Sequence, residues 1–280
     1  MPIHDQGYRR YGGERAPRGQ AWAVIAKAGV RTFLAKKAFL GLLLVAWIPF
    51  VVRSVQIYVT ANFPQARDLI AVKSDTFRQF LDQQSIWVFF ITVYVGAGLI
   101  ANDRRANALQ IYLSKPLTRA EYILGKLAIL MTFLLLITWV PAIVLLIVQV
   151  MFSGNFTFFR NNAFLFPAIT LFSFIYVVMV SVSMLALSSL SNSSRYVGIL
   201  YTALVFFTQA LYGVLWFVTG NSSLSWISFS FNLEQVGDAI FRMPPRYDTP
   251  WTVSLLMIGL LIVVSGLVLE RRVRGVEVVA

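Results

Sequence analysis

Residues 100–126 read I-A-N-D-R-R-A-N-A-L-Q-I-Y-L-S-K-P-L-T-R-A-E-Y-I-L-G-K, a charged interruption between two strongly apolar runs. Asp103, Arg104 and Arg105 come first, and Lys115, Arg119, Glu121 and Lys126 follow. Pro116 disfavours helix at Lys115, because its ring crowds the residue before it. Thr118 with Glu121 three residues on has the spacing of a capping box, in which each side chain satisfies the other residue's free backbone N–H. The stretch therefore predicts a helix, a break and a new helix at the mouth of a membrane domain. Its excess of Lys and Arg predicts that this face looks into the cytoplasm. A cytoplasmic partner is expected to dock there.

Outward from this stretch, composition sets the class. The chain has 280 residues, of which 58% are hydrophobic and 13% charged, against about 25% charged in an ordinary soluble domain. The apolar residues come in long runs, the mark of an all-α integral membrane protein. A net charge of +12 would raise nucleic acid binding in a soluble protein. Here the charges flank apolar runs, so anionic lipid headgroups and the positive-inside rule account for them, and no nucleic acid partner is expected. Without cysteine there are neither disulfides nor thiolate metal sites. The one histidine, His4, lies in a polar terminus and is read as a tail residue.

In chain order, residues 1–20 are rich in Gly, Arg and Pro and read as a disordered basic tail. The tail has no apolar core of the kind a secretory signal needs, so the first apolar run, from Phe39, is expected to stay as a signal anchor. In residues 21–38, Trp22, Ile25, Gly29, Phe33 and Leu34 share one helical face, with Lys27, Arg31, Lys36 and Lys37 elsewhere. That is a basic amphipathic helix, expected to lie in the membrane interface. Six apolar spans follow, at about 39–59, 86–100, 124–152, 163–190, 197–218 and 251–269. Pro49 and Pro141 predict kinks in spans one and three. Span two is short of the ~20 residues a bilayer needs, so it is expected to borrow flanking residues or thin the bilayer. Glu270-Arg271-Arg272-Val273-Arg274 stops span six, and residues 275–280 form a C-terminal tail.

Basic residues fix the expected orientation. With six spans both termini share one side. That side then carries Arg9, Arg10, Arg15, Arg18, Lys27, Arg31, Lys36, Lys37, the basic residues of 100–126, Arg195, Arg271, Arg272 and Arg274. The other side holds only Arg67, Lys73, Arg78, Arg160, Arg242 and Arg246. Acidic residues divide evenly, so the asymmetry is in Lys and Arg, and both termini are expected in the cytoplasm. On the outer side, residues 62–85 are a modest loop with room for one short amphipathic helix. Residues 231–243 mix apolar residues with Glu234, Asp238 and Arg242, and Leu233, Val236, Ile240 and Phe241 fit one face. This pattern fits equally a helix dipping into the outer leaflet and one lying on its surface.

Several chemistries are missing. No G-x-x-x-x-G-K-[ST], H-E-x-x-H or G-x-S-x-G occurs in the sequence, so no P-loop, zinc-protease or hydrolase site is expected, and no cofactor in this chain. The middles of the spans carry no Asp, Glu or His of the kind a proton- or sodium-coupled carrier needs. Arg53 is the main ionisable residue in a span and is expected to snorkel to headgroups. The hydroxyls of span four and its exit (Ser173, Ser181, Ser183, Ser188, Ser189, Ser191, Ser193 and Ser194) are read as close packing through small residues rather than a substrate path, and Thr132 and Thr138 of span three likewise. Trp22, Trp87, Trp216, Trp226 and Trp251 are read as interfacial belt residues.

On these residues the chain resembles the membrane subunits of the ABC-2 family of ATP-binding-cassette transporters. The likeness rests on Asp103-Arg104-Arg105 after span two, then Leu113-Ser114-Lys115-Pro116-Leu117-Thr118-Arg119, then Gly125-Lys126 at the start of span three, and covers about residues 21–274 as one six-span transmembrane domain. Asp103 stands where the family commonly has glutamate, and Asn107-Ala108 where a Gly-Thr pair is frequent. The resemblance implies a permease paired with a second copy or close homologue, and separate ATPase subunits that hold the ATP and Mg. It also implies a coupling helix after span two that sits in a cleft of the ATPase. On this sequence the contact residues would be Asp103, Arg104, Arg105, Leu109, Leu113, Lys115, Pro116 and Arg119, with Trp22, Ile25, Lys27, Arg31 and Phe33 on the interfacial helix. The expected function is export driven by a partner ATPase. The alternative is a non-transporting scaffold that anchors the ATPase. An enzyme acting on lipid ranks below both, because the spans lack a paired carboxylate, histidine or nucleophile.

Overall fold

The computed structural model describes residues 20–63, 73–108, 117–152 and 157–273. Among the described residues there is no strand. Six helices are long and apolar enough to cross a membrane: Lys37–Asn62, Ser74–Arg105, Arg119–Phe152, Leu165–Leu190, Ser194–Thr219 and Trp251–Arg272, here spans one to six. All but span four extend past their expected apolar windows, because a helix keeps its backbone paired through polar flanks as readily as through apolar ones. The end of the bundle with Lys37, Arg105, Arg119, Arg195 and Arg272 is called the basic end, and the opposite one the far end.

Span two shows how the short apolar window is made to reach. Its helical run is 32 residues long, and the first part, Ser74–Gln83, is the amphipathic helix expected in the preceding loop. The two are joined end to end. Phe77, Phe80 and Leu81 of this extension are buried, and so is Arg78. Span one breaks at Trp47, between helices ending at Ala46 and starting at Ile48, next to Pro49. Span three breaks at Thr138, three residues before Pro141. A proline lacks the N–H that would pair with the carbonyl four residues back, and its ring crowds that carbonyl. Arg53 has protein partners: its Nη1 donates to Gln56 Oε1 at 2.8 Å, and its other nitrogens reach Gln83 at 3.3 Å and Gln79 at 3.4 Å on the span-two extension. The extension brings amide oxygens within reach of Arg53.

Span four is the hub, touching every other span except span one. Half of its most apolar window is buried, against 17% in span one and 22% in spans five and six. The outer faces of those three, with Leu44, Val52, Phe207, Phe217, Leu256 and Val263 exposed, are left for lipid or a partner. Two further helices flank the bundle. The leading helix, Ala21–Leu34, lies on span three at the basic end. The wedge helix, Phe229–Ile240, sits at the far end, packed against spans two, four, five and six.

Candidate functional site

At the basic end the helix of span two gives way. A π-helical turn covers Thr92–Gly96, and a short helix restarts at Ala101–Arg105. The break frees backbone groups inside the bundle, where each must find a partner. Ser188 of span four supplies it: its Oγ accepts from the N–H groups of Ile100 at 3.1 Å and Ala101 at 3.0 Å and donates to the carbonyl of Ala97 at 2.9 Å. The helix of Ala101–Arg105 is then fixed from two sides. Asp103 accepts a hydrogen bond from Tyr122 Oη at 2.7 Å and pairs with Lys126 Nζ at 2.6 Å, both on span three. Arg104 donates to the carbonyl of Ser189 on span four. Arg105 is exposed.

The coupling helix expected around residues 103–113 is interrupted within its described part. The helix stops at Arg105, and Asn107 takes a left-handed conformation with φ 52°. Asparagine tolerates that region better than other side chains, and glycine takes it freely. Leu109, Leu113, Lys115 and Pro116 lie outside the described residues. The chain returns at Leu117, and the capping box is present: Thr118 Oγ1 accepts from Glu121 N–H at 3.2 Å, and Glu121 Oε2 accepts from Thr118 N–H at 2.9 Å. Span three starts there, with Arg119 exposed at its first position.

The leading helix rests on this same span. Gly125 lets the two backbones meet: a Cβ there would lie 2.8 Å from Ile25 Cβ and 3.0 Å from the Trp22 carbonyl oxygen. Further along, Phe33 packs against Phe39, Tyr94 and Phe133 with ring centroids 5.7–6.4 Å apart. Lys27 and Arg31 point to the exposed side, and Trp22 is 42% exposed.

The far end holds a group that the linear pattern did not reveal. Arg78 is fully buried, with Asp82 one turn away and Asp238 Oδ1 of the wedge helix 3.2 Å from its Nε. Its Nη2 donates to the Glu234 carbonyl at 3.2 Å, and its guanidinium lies 4.7 Å over the Phe172 ring. Arg246 closes the cluster, at 2.5 Å from Asp82, 3.0 Å from Asp238 and 3.5 Å from Glu234. Gly237 makes room, since a Cβ there would stand 2.7 Å from Arg78 and from Phe172. Burial pushes the Asp238 and Glu234 carboxyls up from their ordinary range; Arg78 and Arg246 act against it at Asp238, and the Tyr247 hydroxyl and Arg246 do so at Glu234. The available signal was a pair of four-residue spacings, Arg78 with Asp82 and Glu234 with Asp238, each beside apolar residues.

Two cavities lie along the seam between spans two and five, and Phe206 borders both. The one at the basic end measures about 1300 Å³ and is walled by the leading helix and spans two, three and five. The one at the far end measures about 350 Å³, under the ionic cluster, with Tyr176, Tyr201, Phe89 and Phe172 in its walls and Asp82, Glu234 and Arg246 at its rim. Ser173, Ser181, Ser183 and Ser188 are buried and border neither cavity; of the expected serines only Ser194 does, at the basic mouth. Among the described residues no three His, Cys, Asp or Glu are grouped so as to hold a metal ion.

A family model described as "ABC-2 family transporter protein" matches residues 54–269. The match takes in the basic stretch, both cavities' main walls and the wedge helix, and begins after the leading helix. No curated protein matches the chain.

Proposed function

This chain belongs to the ABC-2 transporter family, and from that premise we propose that it is the permease subunit of an exporter driven by a separate ATPase. Membership makes it a multi-pass membrane component without a nucleotide-binding domain. The further reading is that the basic end faces the cytoplasm, that residues 103–119 carry the contact with the ATPase, and that two copies, or this chain and a close homologue, meet through spans one and five. The outer faces of those spans are apolar and exposed, which supports the last point. The leading helix is taken to lie in the cytoplasmic interface, with Lys27 and Arg31 toward anionic headgroups.

One observation carries the proposal. Asp103 is clasped from span three by Tyr122 and Lys126, and Arg104 is bound to span four, while Arg105 and Arg119 at the two edges of the stretch stay exposed. A push on residues 105–119 therefore reaches spans two, three and four together, as a coupling element requires. A loop that only set topology would need none of these bonds. ATP-driven closure of the ATPase pair would act here and switch the spans between inward and outward access.

The test uses Leu109→Asp and Leu113→Asp. A charge placed where an apolar side chain enters a partner groove must be desolvated without a partner, whereas loss of one exposed arginine costs only about 0.5 kcal/mol. Either aspartate variant should release the ATPase on co-purification, or uncouple hydrolysis from transport in vesicles, with insertion unchanged. Normal assembly and coupled rates in both variants would overturn the assignment of this stretch.

A further inference from the structure

The larger cavity has a chemistry of its own. It is polar at one end and apolar along its length. Lys36, Asn102, Asp103, Lys126, Ser194 and Arg195 gather at the basic mouth. From there one face of span five runs inward through Gly198, Ile199, Ala203 and Phe206. The hydroxyls along the way are turned back on their own helices: Thr202 donates to the Gly198 carbonyl and Thr32 to the Ala28 carbonyl, each at 2.8 Å. Val24, Ile199 and Phe206 of the walls are 69%, 63% and 53% exposed. These exposed apolar side chains leave the trench open along one side of the bundle.

Among the described residues the charge at the mouth is not balanced. Asp103 is taken by Lys126 at 2.6 Å. Lys36 has its amine 4.7 Å over the Phe33 ring, and neither it nor Arg195 has a carboxylate within salt-bridge reach among the described residues. Two cations at the head of an apolar trench match a molecule with an anionic head and a long apolar tail. The trench exceeds the roughly 300–1,000 Å³ of pockets for drug-sized ligands, which leaves length for a chain. A free anion would make no use of the trench.

We propose that this groove binds a phosphate-bearing lipid of the leaflet on the basic side, with its headgroup on Lys36 and Arg195 and an acyl chain laid between the leading helix and span five. Basic pockets between membrane helices hold anionic headgroups in this way. Ala203 and Gly198 supply the width, because their small side chains leave the span-five wall open beside Ile199. The headgroup contacts, Lys36 and Arg195, lie outside the stretch tested through Leu109 and Leu113, so the two proposals fail separately.

The experiment takes the full chain, with whatever partner co-purifies, and reads bound lipid by native mass measurement during titration with phosphatidylglycerol or phosphatidylcholine. Phosphatidylglycerol should be retained over phosphatidylcholine by on the order of tenfold, the scale of two cations close to an anionic head. Lys36→Ala with Arg195→Ala should erase the preference, and Lys36→Arg with Arg195→Lys should keep it. Ala203→Trp should lower retention of phosphatidylglycerol with an unchanged elution profile. Equal retention of the two lipids by the unaltered chain would overturn the proposal. So would displacement of bound lipid by millimolar inorganic phosphate, which would make this a site for a free anion. A disulfide joining two copies through Ala203→Cys would also overturn it, by giving the groove to a second copy.

Discussion

The leading helix lies on span three with none of its residues buried, whereas the wedge helix has Phe229, Asn232, Leu233, Gln235, Val236, Gly237 and Asp238 buried. Both come from the same kind of pattern, an apolar stripe beside a charged one. On the leading helix the charged stripe faces out, and contact rests on Gly125, Ile25 and the Phe33 ring cluster. On the wedge helix part of the charged stripe faces in, toward Arg78 and Arg246. The difference separates a helix that can leave its seat from one that cannot do so without stranding charges. It also separates the two ends of span two. The far end is locked by several ion pairs, and the basic end is held by one carboxylate, a serine and the bond from Arg104 to a span-four carbonyl. Movement between two states is therefore cheapest at the basic end, where the proposed ATPase contact lies.

The largest expected effect breaks the lock. Arg78→Ala removes the cation from a fully buried site and leaves Asp238, 1% exposed, facing only Arg246. Removing one partner of a buried pair costs about 3–5 kcal/mol, because the other charge stays buried. Thermal unfolding of the purified chain should show a large fall or loss of a folded species. Arg78→Ala with Asp238→Ala should recover much of it, since both buried charges are then gone. On the leading helix, Arg31→Ala should stay within about 0.5 kcal/mol of the parent, as exposed substitutions do. If Arg78→Ala and Arg31→Ala cost alike, the contrast between the two helices is wrong.

Next in size are two glycine substitutions at the two contacts. Gly125→Val drives a side chain into Ile25 and the Trp22 carbonyl, and Gly237→Val drives one into Arg78 and Phe172. Overpacking of this kind costs about 1–3 kcal/mol where the neighbours cannot move. The leading helix can lift off, so Gly125→Val should leave the unfolding midpoint nearly unchanged while trypsin cuts faster after Lys27 and Arg31. The wedge helix cannot lift, so Gly237→Val should lower the midpoint of the whole bundle. Equal protease sensitivity of Gly125→Val and parent would mean that the leading helix is as firmly seated as the wedge.

Apolar runs made the six spans legible, and Pro49, Pro141 and the Thr118–Glu121 box marked breaks and a start where the structure has them. The ends of the spans were not legible, since hydropathy stops where polar flanks begin and helical hydrogen bonding does not. Span two shows this most clearly: Arg78 read as a loop residue because the partners that allow its burial, Asp238 and Glu234, come over 150 residues later. A helical pattern of charge states that a face is polar and leaves open whether water or another charge meets it. The role of Ser188 was hidden for the same reason. A serine in span four packs like any small residue unless another helix breaks beside it, and the break at residues 97–100 belongs to span two.

The smallest expected effect tests the same contrast just past the end of a helix. The short helix at the basic end and the wedge helix both finish on a non-glycine residue at positive φ, Asn107 at 52° and Arg242 at 58°. A left-handed conformation costs an ordinary side chain roughly 1–2 kcal/mol, and asparagine less. Asn107 is exposed, and its N–H donates to the Arg104 carbonyl at 3.1 Å, a bond that glycine keeps. Asn107→Gly should therefore hold or slightly raise the unfolding midpoint, within about 0.5 kcal/mol. Arg242 has a further contact, its guanidinium 4.7 Å over the Phe164 ring, worth about 0.5–1 kcal/mol at an exposed position. In Arg242→Gly the relief of backbone strain and the loss of this contact should offset each other. Arg242→Ala keeps the strain and loses the contact, so its midpoint should fall. A gain in Arg242→Gly larger than in Asn107→Gly would show that the ring contact contributes nothing, and that the wedge helix is as loosely finished as the helix at the basic end.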